Sequence, residues 1–124
     1  MENPARDDYS YESAKKRARA LYDKIGRVWC PALSGYVLFK NSGFRHLIWK
    51  GAVMRPKNEQ RRRFALLIHS ASILQNPRAK VVSRIGANAR FWALTEERHG
   101  KVLSVIVRQI GNQEKHFFSI FGDK

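Results

Sequence analysis

The fold turns on VLSVIVRQIGNQEKHFFSIFGDK, residues 102–124. Apolar residues alternate along its first half, Gly111-Asn112 supplies turn chemistry, and apolar residues resume at Phe117, so the stretch reads as a β-hairpin. Four residues are out of place in an ordinary hairpin: Arg108, Lys115, His116 and Ser119. Immediately upstream, ARFWALTEERHG (89–100) is a second alternating run that ends on the turn pair His99-Gly100, and KVVSRIG (80–86) is a third. The second half of the chain is therefore expected to be a meander of up to four antiparallel strands.

Turn lengths set the register, and a slip by one residue would turn every side chain to the other face. A two-residue loop at His99-Gly100 puts Trp92 opposite Val107 and Leu94 opposite Val105; a four-residue loop at 111–114 puts Val107 opposite Phe118 and Val105 opposite Ile120. Trp92, Leu94, Val105, Val107, Phe118 and Ile120 then share a core face. Because neighbours alternate along a strand, Phe91, Thr95, Ser104, Arg108, Lys115, Phe117 and Ser119 share the open one. His116 falls on the core side by this parity, at the rim beside the turn.

Something must cover the apolar face, and two helical patterns precede the meander. In SAKKRARALYDKI (13–25), Ala14, Ala18, Leu21, Tyr22 and Ile25 form a stripe that Gly26 ends; in NEQRRRFALLIHSASILQ (58–75), Asn58 is a natural cap and Phe64, Leu67, Ile68, Ala71 and Leu74 recur at helical spacing. Between them Gly, Pro and Asn punctuate short aromatic and branched runs, of which 35–40 and 44–49 are the best strand candidates. The order is that of an α+β fold in one domain over 1–124. MENPARDDYSYE (1–12) is polar enough to be a flexible lead, leaving a folded core over about residues 13–121.

Lys and Arg number 24 against 10 acidic residues, a net charge of +14. Such an excess draws polyanions: a nucleic acid is the first partner to consider and an acidic protein inhibitor the second. No apolar run approaches the roughly 20 residues of a membrane span, so membrane insertion is not expected. Cys30 is the single cysteine, which leaves no internal disulfide and no zinc pattern. The four histidines are scattered and the acidic residues lack ligand spacing, so neither a metal nor a cofactor is expected. No targeting signal opens the chain, which points to a cytoplasmic site of action; delivery as the tail of a larger phage or secreted protein stays open.

With FRHLIWKG (44–51) ahead of the second helix and LSVIVRQIGNQEKHFFSIF (103–121) closing the chain, the sequence resembles the barnase/EndoU/colicin/RelE-like ribonucleases of phage and polymorphic-toxin proteins, over most of residues 35–121. The resemblance implies N-terminal helices packed on a curved, mostly four-stranded antiparallel sheet. It also implies metal-free cleavage of RNA, often tRNA, and an acidic immunity or antitoxin protein that covers the basic face. Matched residue by residue, it implies a site at His46 with Lys50 nearby, at Arg108 on the penultimate strand and at Ser119 on the last, with His116 of KHFFS in reserve.

The chemistry asks for few parts: the ribose 2′-OH loses its proton and attacks its own neighbouring phosphate, leaving a 2′,3′-cyclic phosphate as the 5′ oxygen departs. His46 has an intrinsic pKa suited to moving that proton, and Arg108 offers a planar fork of donors to the phosphate. Lys50, Lys115, Arg61 and Arg62 are candidates for RNA phosphates, and Phe117 for stacking a base. Each residue also has an ordinary role to play. His69 suits a structural position beside the second helix's stripe, His99 suits a turn, and QRRRF (60–64) suits a solvated helix face. A noncatalytic RNA-binding module accounts for the charge equally well, but does not require His46, Arg108 and Ser119 together.

Overall fold

A computed structural model describes residues 4–122. Helix α1 (Pro4–Ile25) is followed by a hairpin of β1 (Arg27–Cys30) and β2 (Gly35–Leu38), then by α2 (Asn41–Ile48) and a two-stranded ribbon of β3 (Trp49–Lys50) and β4 (Val53–Met54). Next come α3 (Lys57–Leu66), a 3₁₀ turn at Leu67–His69 and α4 (Ser70–Gln75), and then the meander β5 (Lys80–Ile85), β6 (Ala89–Arg98), β7 (Lys101–Ile110) and β8 (His116–Gly122). The fold is α+β, with helices against a curled six-stranded sheet of order β1-β2-β8-β7-β6-β5. The four-strand meander is as expected; the β1-β2 hairpin widens it to six and joins parallel to β8 at Leu38 and His116, which makes the sheet mixed. Among the described residues no helix is long and apolar enough to cross a membrane.

Residues 1–3 of the expected polar lead lie outside the described residues. From Pro4 onward that lead is helical, and Tyr11 is buried with its hydroxyl donating to the buried Gln60 amide oxygen of α3. Tyr11 ties this part of α1 to α3, so the lead is not the flexible segment its polarity suggested. The second expected helix is broken at Leu67–His69, so its stripe rotates: Phe64, Leu67, Ile73 and Leu74 are buried while Ile68 is exposed. Pro56, not Asn58, occupies the position before the first turn.

Residues 44–49 are not a strand. Phe44, Leu47 and Ile48 are buried together at helical spacing, and Gly43 lets α2 lie directly on the sheet. A Cβ at that glycine would stand 2.5 Å from the Phe117 carbonyl and would also strike the Tyr22 hydroxyl. Tyr22 packs edge-on against Phe39, Phe44 and Phe117, and its hydroxyl donates to the Lys40 carbonyl just before α2.

The β6–β7 register is as expected, with Trp92 opposite Val107 and Leu94 opposite Val105; His99 and Gly100 both take positive φ, as a two-residue primed turn requires. The β7–β8 register holds only at its far end. Val105 faces Ile120, but Val107 faces Phe117 and Arg108 faces His116, because a bulge interrupts β8 between the partners of Ile106 and Val107. Phe118 is the extra residue, and the chain between the paired Arg108 and His116, 109–115, is correspondingly one residue shorter than the expected register requires. Phe117 therefore fills the core, fully buried and stacked on Phe39, while Phe118 turns to the open face.

Candidate active site at the β8 bulge

The bulge gathers what parity had separated. His116 lies beside Arg108 on the open side, and the Arg108 Nε donates to His116 Nε2 over 2.8 Å. His116 is only 3% exposed, so it supports Arg108 from beneath. With Nε2 accepting, its proton sits on Nδ1. Burial first, and the Arg108 guanidinium second, lower its pKa from the ordinary value.

Phe118 stacks on the same guanidinium, its ring centre 4.6 Å from the Arg108 Cζ. The Phe118 ring also meets Phe91 edge-on and lies 4.1 Å, centroid to centroid, from the imidazole of His46. Arg108 is thus fixed by an acceptor at its Nε and by an aromatic ring, which leaves its two terminal nitrogens without a hydrogen-bond partner among the described residues.

His46 arrives from α2, half-buried, on the flank away from the buried Phe44-Leu47-Ile48 stripe. Arg55 closes the loop behind it, donating from Nε to the His46 carbonyl over 3.0 Å, with Nη2 3.5 Å from Nδ1. Burial is the largest cause of a pKa pushed down to about 4, followed by the positive charges of Arg55, Arg63, Arg108 and Lys50. The imidazole is therefore neutral near pH 7 and surrounded by cations. Ser42, Arg45, His46, Trp49, Arg108 and Phe118 line an open cavity of about 160 Å³.

His46, Arg108 and His116, separated by as much as 70 residues of chain, are thus brought to one place. Ser119 sits lower, 4% exposed, where its hydroxyl accepts from Arg63 Nη1 over 2.7 Å; the same nitrogen donates to the Ile120 carbonyl over 3.1 Å. Arg63 thereby caps β8 where no strand pairs with it, and its Nε pairs with Glu59 over 3.1 Å. Ser119 reaches the site through Arg63, not as an exposed hydroxyl. Lys50 is exposed on β3 and contributes charge to the site.

Three expected phosphate ligands lie elsewhere. The shift in register turns Lys115 to the opposite face, where its Nζ lies 5.4 Å from the Trp92 ring centre. Arg61 packs between α3 and α1 beside Tyr11, and the exposed Arg62 approaches Glu59 within 3.6 Å. Phe117, the expected base-stacking ring, is core, and Phe118 takes its place on the surface. Arg45, Arg55 and Arg63 went unnoticed among so many cations; only the helical reading of 41–48, which puts Arg45 and His46 on one flank, would have singled any of them out.

Among the described residues no group of three or more His, Cys, Asp or Glu side chains could hold a metal ion. No family model, curated protein or solved structure matches the chain.

Proposed function

We propose that this domain is a metal-independent endoribonuclease toxin whose site is the His46–Arg108 cluster at the β8 bulge. The observation that carries the reading is a neutral imidazole among cations beside an arginine fixed by a hydrogen bond and an aromatic ring, in an open cavity with an aromatic wall. These are the parts a phosphodiester needs: a proton acceptor, preorganised donors and a surface on which a base can stack.

In this mechanism Arg108 and Arg45 receive the nonbridging oxygens of the scissile phosphate, and Phe118 carries an adjoining base. His46 takes the 2′-OH proton as the O2′–P bond forms. The P–O5′ bond breaks, water protonates the departing oxygen, and a 2′,3′-cyclic phosphate remains. An imidazole with a pKa near 4 is a weak base, but the bound phosphate's negative charge offsets the cationic repulsion that helps depress it. His116 and Ser119 act one step away, as positioning residues for Arg108 and Arg63.

The substrate class is single-stranded RNA or an unpaired tRNA loop, since a base must leave its stack to meet Phe118. An acidic immunity or antitoxin protein would complement the net charge of +14 and associate quickly through it. The test is incubation with total tRNA and with a generic single-stranded RNA in excess EDTA, with the product ends analysed. Cyclic phosphate ends that disappear in His46→Ala, with the fold retained, support the reading. Salt-sensitive binding with no cleavage of any RNA would replace it with a noncatalytic RNA-binding module.

A further inference from the structure

The small site cavity does not end at Arg45. A second cleft of about 380 Å³ between α1 and α2 is lined by Lys15 and Arg19 of the first helix and by Asn41, Ser42, Arg45 and Trp49. Ser42, Arg45 and Trp49 also line the His46–Arg108 cavity, so the two adjoin across one flank of α2. Its volume suits a nucleotide-sized occupant, and no carboxylate lines it.

Its two guanidiniums are held in place, and Lys15 adds a third positive charge to the lining. Arg19 lies 4.9 Å over the Phe44 ring, donates to the Asn41 side-chain oxygen, and meets Asp23 on its own helix at 3.1 Å. Arg45 lies 5.1 Å over the Trp49 ring. Stacked guanidiniums lose less freedom when they bind than mobile lysines do, which favours a defined subsite over a diffuse field.

We infer that the α1–α2 cleft is a second phosphate subsite, which holds a neighbouring phosphodiester of the strand whose scissile phosphate lies at Arg108. This rests on the nuclease reading for the polarity of the site, but not for the binding itself. The substrate is then an extended single strand reaching at least two phosphates, and a dinucleotide leaves the cleft empty.

The experiment measures binding of the full chain to a noncleavable 2′-O-methyl RNA nonamer and to the corresponding dinucleotide, over a range of salt, for Lys15→Ala, Lys16→Ala and the double variant Lys15→Ala/Arg19→Ala. Lys16 is exposed one residue along α1 and lines neither cavity, so it controls for bulk charge. Thermal melting checks that each variant is folded. Lys15→Ala is expected to weaken the nonamer about 3- to 10-fold and to flatten its log Kd against log salt slope by about 0.7, the value for one lost contact to a single strand. Lys16→Ala is expected to leave both within error, the double variant to exceed Lys15→Ala, and the dinucleotide to be indifferent to all three. Equal losses from Lys15→Ala and Lys16→Ala, or an equal loss on the dinucleotide, would overturn the subsite. Because no arm requires cleavage, a protein that fails to cut RNA overturns the nuclease reading and leaves this test intact.

Discussion

Among the described residues two imidazole–guanidinium clusters, around His69 and around His46, are built on opposite principles. At one end Arg98 lies 3.3 Å from His69 Nδ1, but Arg98 also binds Glu96 over 2.8 Å and Asn76 donates to the same carboxylate over 3.2 Å. That cluster closes its own charge. At the other end His46 is faced by Arg55, Arg63, Arg108 and Lys50, and among the described residues Glu59, paired with Arg63 and near Arg55, is the carboxylate set against them. A cluster that closes its charge joins α4 to the sheet; one that leaves it open is waiting for an anion.

The sharpest way to break this contrast is to remove one arginine from each end. Arg108→Ala is expected to lower RNA cleavage about 10²- to 10³-fold, the usual effect of deleting a preorganised donor, while Arg98→Ala leaves cleavage within about 2-fold in assays on folded protein. Similar losses from both would dissolve the distinction.

Stability should divide the ends in the other direction. Gly43→Ala, which drives a methyl into Phe117 and Tyr22 beneath α2, is expected to destabilise the fold by about 1 to 3 kcal/mol in urea unfolding, and to disturb the open-charge site with it. A neutral outcome would mean that α2 is seated less closely on β8 than described.

Acid should weaken both ends for different reasons. Glu96 has its pKa lowered, chiefly by its hydrogen bond from Arg98, so its contribution is present above the unfolded carboxylate value and is lost as pH falls through the folded one. His46, pushed down to about 4, stays neutral in the native protein while the unfolded chain protonates below about 6.5, so stability also falls between those two values. Glu96→Gln is expected to remove the first dependence and His46→Ala the second, in urea melts taken across pH 3 to 7.

The smallest effect sharpens the comparison from the ligand's side. A phosphodiester entering the open-charge end relieves the repulsion on His46, so binding a noncleavable dinucleotide should take up a fraction of a proton near pH 5. Calorimetry in two buffers of different ionisation enthalpy measures it, and His46→Ala should abolish it. Uptake that survives that substitution would place the titrating group elsewhere.

How much of this could be read in the chain depends on which ambiguities the residues resolve. His99-Gly100 admits a two-residue primed turn and little else, so the β6–β7 register was legible. Phe117-Phe118 resolves nothing locally, since either ring fills the core equally well. A shorter connection and a bulge then offset each other: Val105 still meets Ile120 while Lys115 and both phenylalanines exchange faces. FRHLIW carries both periods, Phe44-His46-Ile48 for a strand and Phe44-Leu47-Ile48 for a helix. The close approach of Gly43 to β8, a tertiary fact, favours the helix. Arg108 stood out by type, because an arginine inside an apolar run needs a reason, and His46 stood out through the family resemblance. Arg55, Arg63 and Arg45 did not, because in a chain with 24 basic residues only their placement distinguishes them.

The central claim is that open charge marks the reactive end. It is tested most directly by cutting one defined single-stranded RNA in EDTA with wild type, Arg108→Ala and Arg98→Ala side by side, with a matched strand carrying a single 2′-deoxy nucleotide at the main cleavage position. The account predicts cyclic phosphate products from wild type and Arg98→Ala, about 10²-fold or more loss in Arg108→Ala, and no cut at the deoxy position. Cleavage at the deoxy position, or cleavage that follows Arg98 and ignores Arg108, would contradict it.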